Sequence, residues 1–201
     1  MAYGDSNNPS GGDTAGKPPT WEDIMHLHDS LGAEILGGKI RYKTMARFSH
    51  AETIDDMRRQ LPSNRDGTPP DGWWIATDVD ARLSDSAYVK PDLSGWRKSS
   101  LAARPVEWPV RQLPDWVCEV MSRSTQAYDR GEKAAAYAAA SVPWYWIVDP
   151  DERTVEVLEL VNGRWTICGV YTDGAVLTLP PFDQTVVTVS DLFLPLPAPT
   201  P

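Results

Sequence analysis

Residues 114–149, PDWVCEVMSRSTQAYDRGEKAAAYAAASVPWYWIVD, restrict the fold of this chain more than any other stretch. An apolar strand over 115–121 runs straight into a helix over 124–140, and Pro143 stops that helix before a second apolar strand over 144–149. The alanine-rich run 133–140 is a strong helix former with almost no side-chain bulk, which suits close packing on a sheet. The first strand also carries Glu119 among apolar neighbours. Burying that charge costs on the order of several kcal/mol unless something compensates it, and a divalent cation is a common compensator.

The rest of the chain builds sheet around this unit. Thr20 before Trp21-Glu22-Asp23 reads as a capped helix start. AEILGGKIRYK (33–43) reads as a hairpin, with Gly37-Gly38 supplying the positive φ of a two-residue turn. Apolar positions 54, 57 and 61 give a helix over 50–61. Strands are expected over 73–79 and 87–93, and residues 94–113 read as a longer connection. After Pro150-Asp151 come strands at 153–161, 164–171 and 175–179, the first two joined by an Asn162-Gly163 turn. The fold class is α/β (mixed α+β), a central mixed sheet flanked by helices.

With 201 residues, 41% apolar content and nine tryptophans, the chain suits one self-sufficient domain, expected over 19–195. Residues 1–18 read as a disordered N-terminal tail and 196–201 as a proline-rich tail. No stretch approaches the roughly 20 apolar residues of a membrane helix. Cys118, inside an apolar strand, and the distant Cys168 suggest reduced thiols and a cytoplasmic protein. Three histidines and two separated cysteines argue against structural zinc.

The net charge of −9 opposes strong non-specific nucleic-acid binding, but its distribution is uneven. Residues 39–133 carry 16 Lys/Arg and 14 Asp/Glu, a balance of +2, while 1–38 and 134–201 carry −5 and −6. Fields act over a Debye length of about 8–10 Å, so a basic groove is compatible with an acidic whole.

A catalytic cation at Glu119 needs a second acid. Asp115 would lie about 13 Å away along the same strand, too far to share an ion. Asp92, at the end of the 87–93 strand, is the better partner, because a neighbouring strand is only about 4.8 Å away. The Val120 carbonyl offers a third oxygen, and open positions would remain for water and phosphate. Asp129, Lys133 and Tyr137 recur every four residues and share one helical face, and Lys133 leans back towards the end of the Glu119 strand. The competing reading of Asp129 and Lys133 is an exposed ion pair. Trp73, Trp74, Trp96 and Trp108 suit either the core or a self-association surface.

Pro91-Asp92, Glu119-Val120, Ser122, Asp129, Lys133, Tyr137, Tyr145-Trp146 and Val148-Asp149-Pro150 together resemble the Uma-type family of putative restriction endonucleases, within the PD-(D/E)xK nuclease superfamily. The resemblance spans about 20–195. It implies a restriction-endonuclease-like fold and magnesium-dependent endonuclease chemistry, with manganese as a substitute ion. It also implies Asp92 and Glu119 as metal ligands and nucleic acid, DNA foremost, as substrate. Glu34, before Gly37-Gly38, and His50, opening a helix, match the family's upstream features, and with Asp129 and Tyr137 they are outer-shell candidates. The superfamily lysine two residues after the acid is replaced here by Met121, and the resemblance places its role on Lys133. Arg123 and Ser141 stand where relatives commonly have proline and glycine. Nucleases of this fold that cut both strands often pair subunits, so a homodimer is expected. Two other functions stay open: an inactive nuclease-fold module that binds a partner or nucleic acid, and a phosphoesterase acting on small nucleotides.

Overall fold

A computed structural model describes residues 17–27, 32–43, 47–62 and 72–196. The expected tails, apart from residues 17, 18 and 196, and His28 lie outside the described residues. At the centre is a six-stranded sheet in the order β10-β9-β8-β7-β6-β3. Its strands are β3 (Trp73–Thr77), β6 (Leu93–Arg97), β7 (Trp116–Val120), β8 (Trp144–Asp149), β9 (Thr154–Val161) and β10 (Arg164–Thr172). Only β7 and β8 run parallel, because the helical connection between them returns the chain to its starting end; every other pairing is antiparallel. A four-stranded sheet, β2-β1-β5-β4, comprises β1 (Ala33–Leu36), β2 (Lys39–Tyr42), β4 (Ala81–Ser84) and β5 (Ala87–Val89). β11 (Val176–Thr178) and β12 (Val186–Thr188) form a small ribbon.

Both expected two-residue turns form. Gly37 and Gly38 have φ of 57° and 72°, Asn162 and Gly163 have 51° and 74°, and the strands on either side pair across them. Helix α2 (Phe48–Gln60) buries Met57 against one face of the large sheet, where Cys118, Val120, Trp146 and Val148 meet residues 179–193. On the opposite face, Val117, Met121, Tyr145 and Ile147 pack against Ala134 and Tyr137 of the 126–139 helical segment and against Leu36, Leu83 and Val89 of the small sheet. The helix α1 (Trp21–Ile24) covers the small sheet through Trp21, Ile24, Ile35 and Tyr88.

Two readings of the sequence need correction. Residues 94–113 are not simply a connection, since 93–97 form β6, hydrogen-bonded between β3 and β7. Asp92 therefore stands at the entrance of a central strand instead of at the end of 87–93, where β5 stops at Val89. The sequence Leu-Ser-Gly-Trp-Arg disguises this strand, because Ser94 and Gly95 lack the bulk that normally marks one. Neighbouring rings supply that bulk. A Cβ on Gly95 would lie 3.0 Å from Trp116 and 3.2 Å from Trp73. Both rings also pack on Phe182, with centroids 5.0 and 4.8 Å away. Trp73 and Trp96 are thus core, Trp74 is half-buried and Trp108 is 51% exposed.

The helical segment ends in a Schellman motif. Val142 N–H donates to the Tyr137 carbonyl and Ser141 N–H to the Ala138 carbonyl, both at 3.0 Å. Ser141 holds the left-handed position at φ 61°, a conformation that favours glycine. Ser141→Gly should therefore raise stability by about 1 kcal/mol, seen as a Tm increase of roughly 2–4 °C. Gly95→Ala should lower stability by about 1–3 kcal/mol through overpacking between the two tryptophans, measurable by urea unfolding.

Candidate active site

The β6–β7 register brings the two acids together. Leu93 pairs with Cys118, Ser94 with Val117 and Gly95 with Trp116. One further step along this register sets Asp92 opposite Glu119, on strand positions whose Cβ atoms are ordinarily about 4.5–5.5 Å apart. Asp115, by contrast, sits at the far end of β7, where its carboxylate accepts the Arg97 N–H at 2.7 Å.

Asp92 is 3% exposed and ties four elements together. Its Oδ2 accepts the Val120 N–H at 2.8 Å and lies 3.2 Å from His50 Nε2 on α2. Its Oδ1 accepts from Lys43 Nζ at 2.9 Å. Burial opposes ionisation, but Lys43 and His50 outweigh it and hold the carboxyl well below the usual carboxylate range. Lys43 follows β2 and also donates to Asp78 at 2.8 Å. Burial favours its neutral form, yet Asp92 keeps the ammonium charged and raises its pKa.

Glu119 is equally buried and faces the helical segment. Its Oε1 accepts the Tyr137 hydroxyl at 2.5 Å and lies 2.9 Å from Lys133 Nζ. Burial pushes the carboxyl up to about 8, with Asp92, Asp129 and Glu34 acting in the same direction and Lys133 against it. Lys133 in turn stays charged despite its burial, because Glu119, Glu34 and Asp129 surround it. Lys133 Nζ is 3.1 Å from Glu34 and 3.9 Å from Asp129. The pair is fully buried, so the reading of Asp129–Lys133 as an exposed ion pair does not hold. Asp129 itself is pushed up to about 6 by burial.

The helix over 126–139 is not regular. α3 (Gln126–Tyr128) and α4 (Ala134–Ala139) are joined by a π-helical segment, Asp129–Lys133, in which Ala134 N–H reaches the Asp129 carbonyl. Such widened turns recur at functional sites. The four-residue spacing still brings Lys133 and Tyr137 onto Glu119, while the Asp129 carbonyl accepts the Tyr145 hydroxyl at 3.0 Å.

Glu34, on β1, is 2% exposed, and its Oε1 accepts the Lys90 N–H at 2.7 Å as well as facing Lys133. It therefore locks the hairpin to the segment after β5. Arg41, opposite Glu34 in the β1–β2 register, donates to Glu132 at 2.6 Å. Lys43 follows two positions later and continues this face of β2. That period-two run of Lys39, Arg41 and Lys43 is the signal that would have revealed Lys43 as a site residue.

Lys43, His50 and Lys133 line a cavity of about 630 Å³ whose acids are Glu34, Asp55, Asp78, Asp92, Glu119 and Asp129 and whose other bases are Arg47 and Lys90. Among the described residues, no three His, Cys, Asp or Glu side chains converge as a preformed metal cluster. Magnesium does not require one, since it commonly binds through one or two carboxylates and keeps several waters. The hard oxygens of Asp92 and Glu119 fit that chemistry. So does the crowding of four buried acids (Glu34, Asp92, Glu119 and Asp129), because burial and the neighbouring acids hold the Glu119 carboxyl up to about 8, a shift that a cation would reverse.

The fold and the sequence both have relatives. A solved structure of a putative nuclease belonging to DUF820 from Anabaena variabilis ATCC 29413 superposes with a TM-score of 0.69 at 20% identity. The match covers 88% of this chain and 98% of that one, so the two share a fold. No curated protein matches this sequence. Residues 21–190 match the Uma2 family, described as putative restriction endonuclease. That match covers most of the chain, including β1, β6, β7 and the 126–139 helix, and so this protein belongs to the Uma2 family.

Proposed function

We propose that this protein is a magnesium-dependent endonuclease that hydrolyses phosphodiester bonds of nucleic acid, with DNA as the foremost substrate and manganese able to replace magnesium. The supporting observation is the opposition of two buried acids, Asp92 and Glu119, with burial and neighbouring acids holding Glu119 up to about 8. Ionising Glu119 in such a low-dielectric cavity is costly, and a divalent cation would relieve that cost. The family and the shared fold support the nuclease class.

Asp92 and Glu119 are the residues that would hold the ion, with the Val120 carbonyl as a third oxygen. When bound, a divalent cation neutralises phosphate charge and polarises the bond to be broken. Lys133, kept charged by the acids around it, would stabilise negative charge growing on the phosphoryl oxygens. Tyr137 is a positioning residue, since its hydroxyl fixes the orientation of Glu119. His50 and Lys43 play the same part for Asp92. The cavity is in the size range of sites that enclose small ligands, and so has room for a nucleotide unit.

Asp92→Asn and Glu119→Gln should each reduce magnesium-dependent nicking of supercoiled plasmid by more than the roughly 10–100-fold typical of losing an outer-shell partner. Full activity in both variants would disprove the assignment. Metal should also stabilise the wild-type fold. At about ten times Kd, the gain is about 1.4 kcal/mol, or a Tm rise of roughly 3–6 °C, and Asp92→Asn should flatten this response. The inactive-module reading instead predicts no metal-dependent shift in either protein.

A further inference from the structure

A second cavity, of about 380 Å³, lies beside β3, the outermost strand of the six-stranded sheet. Among the described residues its charged lining is Arg58 and Arg104, with no carboxylate, in a chain whose net charge is −9. The first cavity mixes both signs, with six acids beside Lys43, Arg47, Lys90 and Lys133. Thr77 lines both, so β3 forms a common wall.

Aromatic rings hold the cations at this second cavity. Lys98 Nζ lies 4.3 Å and Arg104 Cζ 4.8 Å from the Trp74 ring centroid. Arg58 donates to the Ile75 carbonyl at 2.8 Å, which fixes its guanidinium on the strand. Trp74 is fixed as well, through its indole N–H to the Leu101 carbonyl at 2.9 Å. Cations set in advance on rigid groups lose less entropy when they meet an anion.

We propose that this cavity is a phosphate-binding subsite that holds the nucleic-acid backbone to one side of the bond being cut. The proposal rests on reading the first cavity as the nuclease centre. One cavity would take the cation and the scissile group, and its neighbour would take a phosphate further along the same strand. Arg58 and Arg104 supply the contacts, and Trp74 sets the position of Arg104 while holding Lys98 on the same ring.

The test compares the wild type with Arg104→Glu, an exposed position whose change should not disturb the core, and with Arg104→Lys. Binding of a fluorescein-labelled duplex of about 20 base pairs is followed by anisotropy in calcium across a salt series. Arg104→Glu should weaken binding at least tenfold and reduce the slope of log K against log salt by about 0.9 for each phosphate that the protein no longer neutralises. Arg104→Lys should restore most of the slope. A second measurement uses bis(p-nitrophenyl) phosphate, which fills only the first cavity. The ratio of KM for the duplex to KM for this small diester should rise at least tenfold in Arg104→Glu. An unchanged slope and ratio, or equal loss on both substrates, overturns the subsite. If the wild type hydrolyses neither substrate yet Arg104→Glu still loses duplex binding, the nuclease reading fails and the subsite stands.

Discussion

The carboxylate of Asp92 holds the site together, because its two oxygens satisfy groups from three other parts of the chain. It accepts the Val120 N–H, which caps the end of β7, and it faces His50 from α2 and Lys43 from the end of the hairpin. The carboxyl itself stands at the entrance to β6. A charged group this deeply buried is stable only when its partners are all in place, and loss of one partner typically costs about 3–5 kcal/mol. The arrangement of hairpin, α2, β6 and β7 is thus coupled through a single ionised group. The same coupling keeps this acid ionised at neutral pH.

Glu119 experiences the opposite balance. It lies deeper among other acids, and burial raises its pKa where lysine and histidine lower that of Asp92. Two neighbouring carboxyls held at different affinities for protons are a recurrent feature of sites that handle charge. The π-helical turn contributes to this arrangement. It widens the helix at Asp129–Lys133, where Lys133 must be buried between Glu34 and Glu119 instead of extending to solvent.

The net charge of the whole chain is a poor guide to its surface. Six acids gather at one cavity beside four Lys and Arg residues, while the adjoining one, across β3, has only arginines as charged lining among the described residues. Screening confines each field to about 8–10 Å, so the two environments coexist side by side on one molecule of net charge −9. Tryptophan serves both purposes in this region. Trp73 and Trp116 fill the space that Gly95 leaves, and Trp74 carries the cations on its ring.

Local sequence determined the turns, the strand–helix–strand unit around Glu119 and the four-residue spacing of Lys133 and Tyr137, because each depends on near neighbours and on backbone preference. It also singled out Asp92 and Glu119 as partners, since an acid in an apolar strand needs compensation wherever the chain runs. It did not determine β6, whose Ser94 and Gly95 look unlike a central strand until the tryptophans beside them are in place. Nor did it reveal Lys43, whose role depends on a contact 49 residues away. The π-helical turn was hidden for a similar reason: tertiary burial of Lys133 between two acids goes with a widening that helix propensity alone does not encode. Pairings between distant segments are set by packing and charge compensation in three dimensions, and only the folded structure decides them.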